Sequence, residues 1–269
     1  MEDLWENVKK LLKNKSFSDY AKSYDRRPLI KLANEMNGPR MRLIHWSTLA
    51  EIQRIPHSKE NLTVDALEGI NKYGAGICEI FMVSHRWLRP RLNSNDSHPD
   101  SIDNEKAKAI NEFTKWRQDW VQLKHGFVPE IFYWIDFCCI DQYDLSSAIP
   151  LLPIWVACCE RFLRIETSDY SERAWCRLEP LLSYVFQFAD HHTIIHLDFK
   201  YSSSNFHYGQ QIQALILDPL DGKSTDQNDL ERIKPIVNLT KNIQIKNDRE
   251  KVDFGLTTIK CFQLYSKKK

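Results

Sequence analysis

The chain has 269 residues, 42% hydrophobic and 27% charged, a composition that suits a soluble globular protein with one large domain and room for an appendage. Its 37 basic and 36 acidic residues leave a formal charge of +1, which argues against nucleic acid as a partner. No segment approaches the roughly 18 consecutive apolar residues of a membrane span, and the opening MEDLWENVKKLLKNK lacks the apolar centre and small-residue cleavage site of a signal peptide, so the expected location is the cytoplasm.

In chain order, residues 1–75 read as a helical N-terminal extension. Leu4, Trp5, Val8, Leu11 and Leu12 share one face of a first helix, and breaks fall at Arg27-Pro28 and Gly38-Pro39. The stretch RLIHWSTLAEIQRIPHS from Arg42 continues the helical spacing and stops at Ile55-Pro56. After the turn Tyr73-Gly-Ala-Gly, short apolar runs alternate with longer helical patterns. Strands are predicted at CEIFMVSHRW from Cys78, IFYWID from Ile131, RFLRIET from Arg161 and TIIHLDF from Thr193. Helices are predicted between them. The first, EKAKAINEFTKWRQDWVQLKHG, offers Ile110, Phe113, Trp116, Trp120 and Leu123 to its inner face; the others are IPLLPIWVACCE and AWCRLEPLLSYVFQFAD. Near-continuous apolar strands separated by helices predict an α/β domain over 76–200, a doubly wound parallel sheet covered on both faces. Residues 201–269 are expected to pack on the same domain as a C-terminal extension, with Thr225 or Asp226 capping a helix after DPLDGKSTDQND.

The seven cysteines, Cys78, Cys138, Cys139, Cys158, Cys159, Cys176 and Cys261, lie mostly within apolar runs, which predicts reduced, buried thiols. With no CxxC and no histidine at ligand spacing, no metal site is expected.

In such a sheet, ligands bind outside the carboxyl ends of the strands. Here those ends carry Ser84-His85-Arg86-Trp87, then Asp136 through Asp141-Gln142, then Thr167-Ser168-Asp169-Tyr170. Neither GxGxxG nor GxxxxGK[ST] is present, so a bound nucleotide needs another device. The polar loop RPRLNSNDSHPDSID between Leu88 and Asn104 reads as a lid or as a surface insertion.

The blocks VSHRW, WIDFCCIDQ, IPLLPIWVACCERFLRIETSDY and SERAWCRLE, taken in that order, resemble the Toll/interleukin-1 receptor (TIR) domain, most closely the TIR-like proteins of protists and the fungal heterokaryon-incompatibility domains. Ser168, Tyr170, Trp175, Cys176 and Glu179 carry the most specific part of the likeness, although the serine-to-tyrosine gap is one residue shorter than in that family. The resemblance implies a flavodoxin-like sheet and cleavage of the nicotinamide–ribose bond of NAD, with NAD as substrate rather than cofactor. In this reading Glu179 is the catalytic carboxylate, and Ser84, His85, Arg86, Trp87, Asp136, Asp141, Tyr170 and Trp175 contact the substrate. It also implies self-association into a homo-oligomer and a part in intracellular signalling or defence. The chemistry tolerates a lone carboxylate: nicotinamide departs neutral without a general acid, and positive charge develops on the ribose. Near a helix start Glu179 is expected to stay ionised. The alternatives are a non-enzymatic assembly module that uses the WIDFCCIDQ loop, a nucleoside-type ribosyltransferase, and, for Glu179 alone, a solvated helix charge paired with Arg173 or Arg177.

Overall fold

Apolar runs too short for helices pair into one seven-stranded sheet in the computed structural model, which describes residues 2–14, 17, 21, 23, 25–89, 97–186, 191–198, 203–211, 217–224 and 228–251. The strands are β1 (Arg42–His45), β2 (Val64–Asp65), β3 (Cys78–His85), β4 (Glu130–Trp134), β5 (Arg161–Glu166), β6 (His191–Asp198) and β7 (Ser203–Gln211). Their spatial order is β2-β1-β4-β3-β5-β6-β7. The four central strands β4, β3, β5 and β6 run parallel, and β1, β2 and β7 extend the two edges antiparallel. Strands β3, β4 and β5 are almost wholly buried because helices cover both faces.

Side-chain alternation along β3 separates the faces. Glu79, Phe81 and His85 point toward helix Glu105–His125, where they meet Arg117, Phe113 and Lys106. Ser84 points the other way and reaches helix Ala174–Phe186. On that second face Trp134 of β4 packs on Trp155 of helix Leu152–Cys158, with ring centroids 5.9 Å apart.

Helix 105–125 starts at Asn104, whose side chain makes no capping bond. The buried Asp100 does that work instead, its carboxylate accepting from the backbone N–H of Lys106 and of Ala107, both at 2.9 Å. The buried stripe of this helix is Ala107, Ile110, Phe113, Thr114, Arg117 and Val121. Leu123, expected inside, is 83% exposed. It follows Arg117 by six residues and so lies roughly 240° around the helix from the stripe. Arg117 is tolerated inside because Glu79 receives it at 2.5 and 2.8 Å and Arg161 approaches the same carboxylate at 3.1 Å.

The N-terminal region is more than a helical extension. Helices Glu2–Leu12 and Arg27–Asn34 form as expected and bury Leu4, Val8, Leu11, Leu12, Leu29, Ile30 and Ala33. The stretch from Arg42, predicted to be helical, instead begins as β1, with Ile44 opposite Tyr133 and His45 opposite Phe132 of β4. Only Trp46–Ile52 is helical. Four residues cannot distinguish helical from strand spacing, and pairing with the open edge of β4 decides between them. Strands β1 and β2 therefore belong to the same sheet as the strands that follow them.

At the other end, helix Asp229–Lys251 packs on helix 174–186 and buries Ile233, Ile236, Val237 and Thr240. Thr225 and Asp226, the expected caps, lie outside the described residues. The turn before this helix is pressed against the start of helix 174–186: a Cβ on Gly222 would stand 2.5 Å from the Ala174 nitrogen and 2.6 Å from its Cα. Backbone atoms cannot give way as a flexible side chain does. Gly222→Ala is therefore expected to lower stability by about 1–3 kcal/mol, read as a lower midpoint in urea denaturation. An unchanged midpoint would show that this approach is slack.

Candidate functional site

The chain leaves β3 for β4 on one side and then crosses to β5 on the other, so the strand order reverses between β3 and β5. In a parallel sheet that reversal opens a crevice outside the carboxyl ends of the two strands. A cleft of about 340 Å³ lies there, within the roughly 300–1,000 Å³ range of small-molecule sites. Its lining includes Glu179, Cys176, His85 and Asp136 together with the apolar side chains of Trp134, Ile140, Leu145, Ile149 and Leu152.

Glu179 is the sixth residue of helix 174–186 and is only 9% exposed, which removes the reading of a solvated surface charge. Arg177 does not pair with it; its guanidinium donates to the carbonyls of Ser171 and Asp218, at 2.6 and 3.0 Å. The partner of Glu179 is a neutral hydroxyl. Ser84 Oγ donates to Glu179 Oε2 at 2.5 Å, and the Tyr170 hydroxyl is hydrogen-bonded to the same Ser84 Oγ. Tyr170 is itself held by Arg164, whose guanidinium carbon sits 4.5 Å from the ring centroid. Pro180 follows inside the helix and has no N–H to give the carbonyl of Cys176.

Burial pushes the Glu179 carboxyl up to about 8, with the negative charge of Asp136 adding to the effect and the Ser84 hydrogen bond opposing it. This corrects the expectation of an ionised group near a helix start. Dipole effects fade beyond the first turn, and desolvation outweighs what remains at the sixth position.

A second network stands beside the first. Asp136 accepts from His85 Nε2, from the Trp87 indole N–H (both 3.0 Å) and from the backbone N–H of Phe137 at 2.7 Å. Burial works against its ionisation, but His85, Trp87 and Phe137 together hold its carboxyl below the usual carboxylate range. Behind His85 lies Lys106, fully buried, whose Nζ is 3.2 Å from His85 Nδ1. The same ammonium donates to the carbonyls of Arg86 and Pro99, the latter at 2.6 Å. Burial brings Lys106 down to about 8 although Asp100, Cys176 and Asp136 oppose the shift. Lys106 thereby pins the end of β3 to the base of the 88–104 loop, where Leu88 and Arg89 bond across to Pro99 and His98. Residues 90–96 of that loop lie outside the described residues.

Of the residues expected to form a site, His85, Arg86, Trp87, Asp136, Trp175 and Glu179 line the cleft. Ser84 and Tyr170 are buried behind Glu179 and act through it. Asp141 does not belong: it is exposed, outside the lining, and accepts from the Tyr143 N–H at 3.0 Å, because the chain turns outward after Ile140. Arg86 is already engaged by Asp169. Sequence reasoning missed Lys106, which sits in a charged stretch, and Arg164, set between Leu163 and Ile165, and it read the stretch that supplies Lys223, Ser224 and Asp229 as a turn leading into a helix rather than as a binding element. No family model, curated protein or solved structure matches the chain.

In the unfolded chain the Glu179 carboxyl ionises near 4.5, whereas in the fold it keeps its proton up to about 8. Between those values the unfolded state binds fewer protons, so native stability falls as pH rises. Glu179→Gln removes that dependence. Its stability relative to wild type should climb by up to roughly 1.4 kcal/mol per pH unit, seen in denaturation midpoints compared at about pH 5 and about pH 8. A pH-independent difference would mean that Glu179 ionises normally.

Proposed function

We propose that the cleft binds NAD or a related nucleotide and breaks its nicotinamide–ribose bond, with Glu179 as the catalytic carboxylate. The observation that carries this reading is a single buried carboxyl of raised affinity for protons, aimed into a cleft at the strand reversal and held by an uncharged donor. The strand order supports it as well. Numbered along the chain, the parallel strands lie 2-1-3-4, as in flavodoxin-like sheets, with β7 antiparallel in the next place. A doubly wound, TIR-like domain is accordingly our reading of the fold.

The chemistry follows from charge. The nicotinamide ring of NAD is cationic, and its arrival beside Glu179 favours the carboxylate, so binding displaces the proton that burial retains on Glu179. As the C1′–N bond breaks, its electron pair goes to the nicotinamide nitrogen and positive charge passes to the ribose. There the carboxylate opposes it in a desolvated setting where Coulomb energy is large. Water then adds to C1′ and gives its proton to Glu179, for which a group titrating near 8 is a competent base. Ser84 and Tyr170 fix the carboxylate's direction.

The alternative of an assembly module built on the WIDFCCIDQ block finds less support. Phe137, Cys138, Cys139 and Ile140 are core residues there, which leaves Asp141 and Tyr143 as exposed groups at its end.

Purified protein incubated with NAD should release nicotinamide, and Glu179→Gln should lower kcat/KM by about 100-fold or more. For wild type kcat/KM should rise with pH and level off above about 8, because the ionised carboxyl is the active form. Absence of nicotinamide release by wild type, or undiminished release by the glutamine variant, would overturn the proposal.

A further inference from the structure

We propose that the C-terminal segment, residues 218–224 and 228–232, is the part of the site that recognises the phosphate groups of its ligand, with Lys223 and Arg232 as the residues that meet anionic oxygens. The inference rests on the nucleotide reading of the cleft and assigns it a recognition element outside the α/β core.

The segment is built into the cleft. The Lys223 N–H donates to the Glu172 carbonyl at 2.6 Å, and the Lys223 carbonyl accepts from the Ala174 N–H at 2.9 Å, so residue 223 bridges to Arg173 like a short added strand. Asp218 anchors the near end, its carbonyl taking Arg177 at 3.0 Å and its carboxylate taking Lys241 at 2.6 Å. Gly222 allows the close approach that brings the two backbones together. Lys223 and Arg232 consequently line the same cleft as Glu179, joined there by Arg86 and Arg173.

Charge points to an anion. The carboxylates of the lining are Asp136, Asp229 and Glu179. Asp136 is committed to His85 and Trp87, and Glu179 keeps its proton near neutral pH. Asp229 is 3.3 Å from Arg232 and accepts Ser224 at 3.1 Å, while Lys223 reaches out to Glu172 at 2.8 Å. The side chains of the Lys223 pair are 72% and 50% exposed, whereas that of Arg232 is 43% exposed and that of its partner Asp229 only 14%. An ion pair as exposed as Lys223–Glu172 contributes little, so a phosphate entering the cleft can draw Lys223 from its carboxylate, while Arg232 adds its positive charge from its place beside Asp229. The lining also includes the apolar side chains of Trp134, Ile140, Leu145, Ile149 and Leu152. Cationic groups suited to phosphate and apolar groups suited to a ring thus share one cleft, the combination presented by a nucleoside diphosphate.

The test measures binding without turnover, so it stands apart from whether NAD is cleaved. Calorimetric titration of the full chain with ADP and with adenosine should show ADP bound at least about tenfold more tightly. In the Lys223→Ala/Arg232→Ala double variant that preference should shrink to about threefold or less, and in wild type it should weaken as salt is raised. Because both side chains are exposed, matching denaturation midpoints are expected to show that the variant is folded; Lys223→Gln with Arg232→Gln serves as the milder pair. Failure of wild type to prefer ADP, or a preference that survives in a folded double variant, would overturn the inference. Preference for ADP in a protein that leaves NAD intact would uphold it and reject the hydrolase reading.

Discussion

Burial of one carboxyl group next to a neutral donor is the constraint around which this structure is organised. An ionised Glu179 out of water would need a cation or several N–H donors, and among the described residues the fold supplies the Ser84 hydroxyl. A suitable cation exists nearby: Arg164 stands opposite Ser84 on the adjacent strand, with its side chain on the same face. Its guanidinium is directed instead to Glu166, at 2.5 Å, and to the ring of Tyr170. Had it paired with Glu179, the carboxyl would ionise at low pH and lose its strength as a base. Keeping arginine one residue removed, behind Tyr170, preserves the proton affinity of Glu179 while still orienting the hydroxyl chain that touches it.

The cleft holds a second acid in the opposite state. Asp136 has three donors and stays ionised, whereas Glu179 has one and does not. Two acids in one cleft with proton affinities driven apart is the arrangement by which environment assigns different tasks to the same chemical group. Asp136 and His85 belong to the frame: with Lys106 beneath, they join β3, the loop base at Pro99 and the start of the segment after β4. Glu179 is the group left with capacity to change its charge when something cationic arrives.

Much of this frame was legible in the residues. The apolar runs marked the parallel strands, and polar groups at their carboxyl ends marked where a cleft would open. Glu179 stood out because its neighbours resembled a known motif, but its protonation state was misread, since burial depends on what packs above a helix and not on its own spacing. Lys106 and Arg117 had a visible signal: both share the helical stripe of Ile110 and Phe113, and a charged residue on an inner face requires a partner. That His85 and Glu79 are those partners was beyond reach, because they lie on a strand separated from the helix by a long loop. Strand β1 was missed for a related reason, its conformation being set by the edge of β4 rather than by its own four residues.

The C-terminal wall shows most clearly where local reading ends. DPLDGKS reads as a turn, and it is one; Asp218 caps Leu220 and a short helical turn follows. What gives it a place in the site is a backbone-to-backbone approach that only Gly222 permits, and the partner in that approach, Ala174, begins the helix that carries Glu179. The same helix start therefore locates both the buried acid and the cationic wall. A displacement of helix 174–186 would move them together, so the spacing between the group that answers positive charge and the groups that answer negative charge is set by one rigid element.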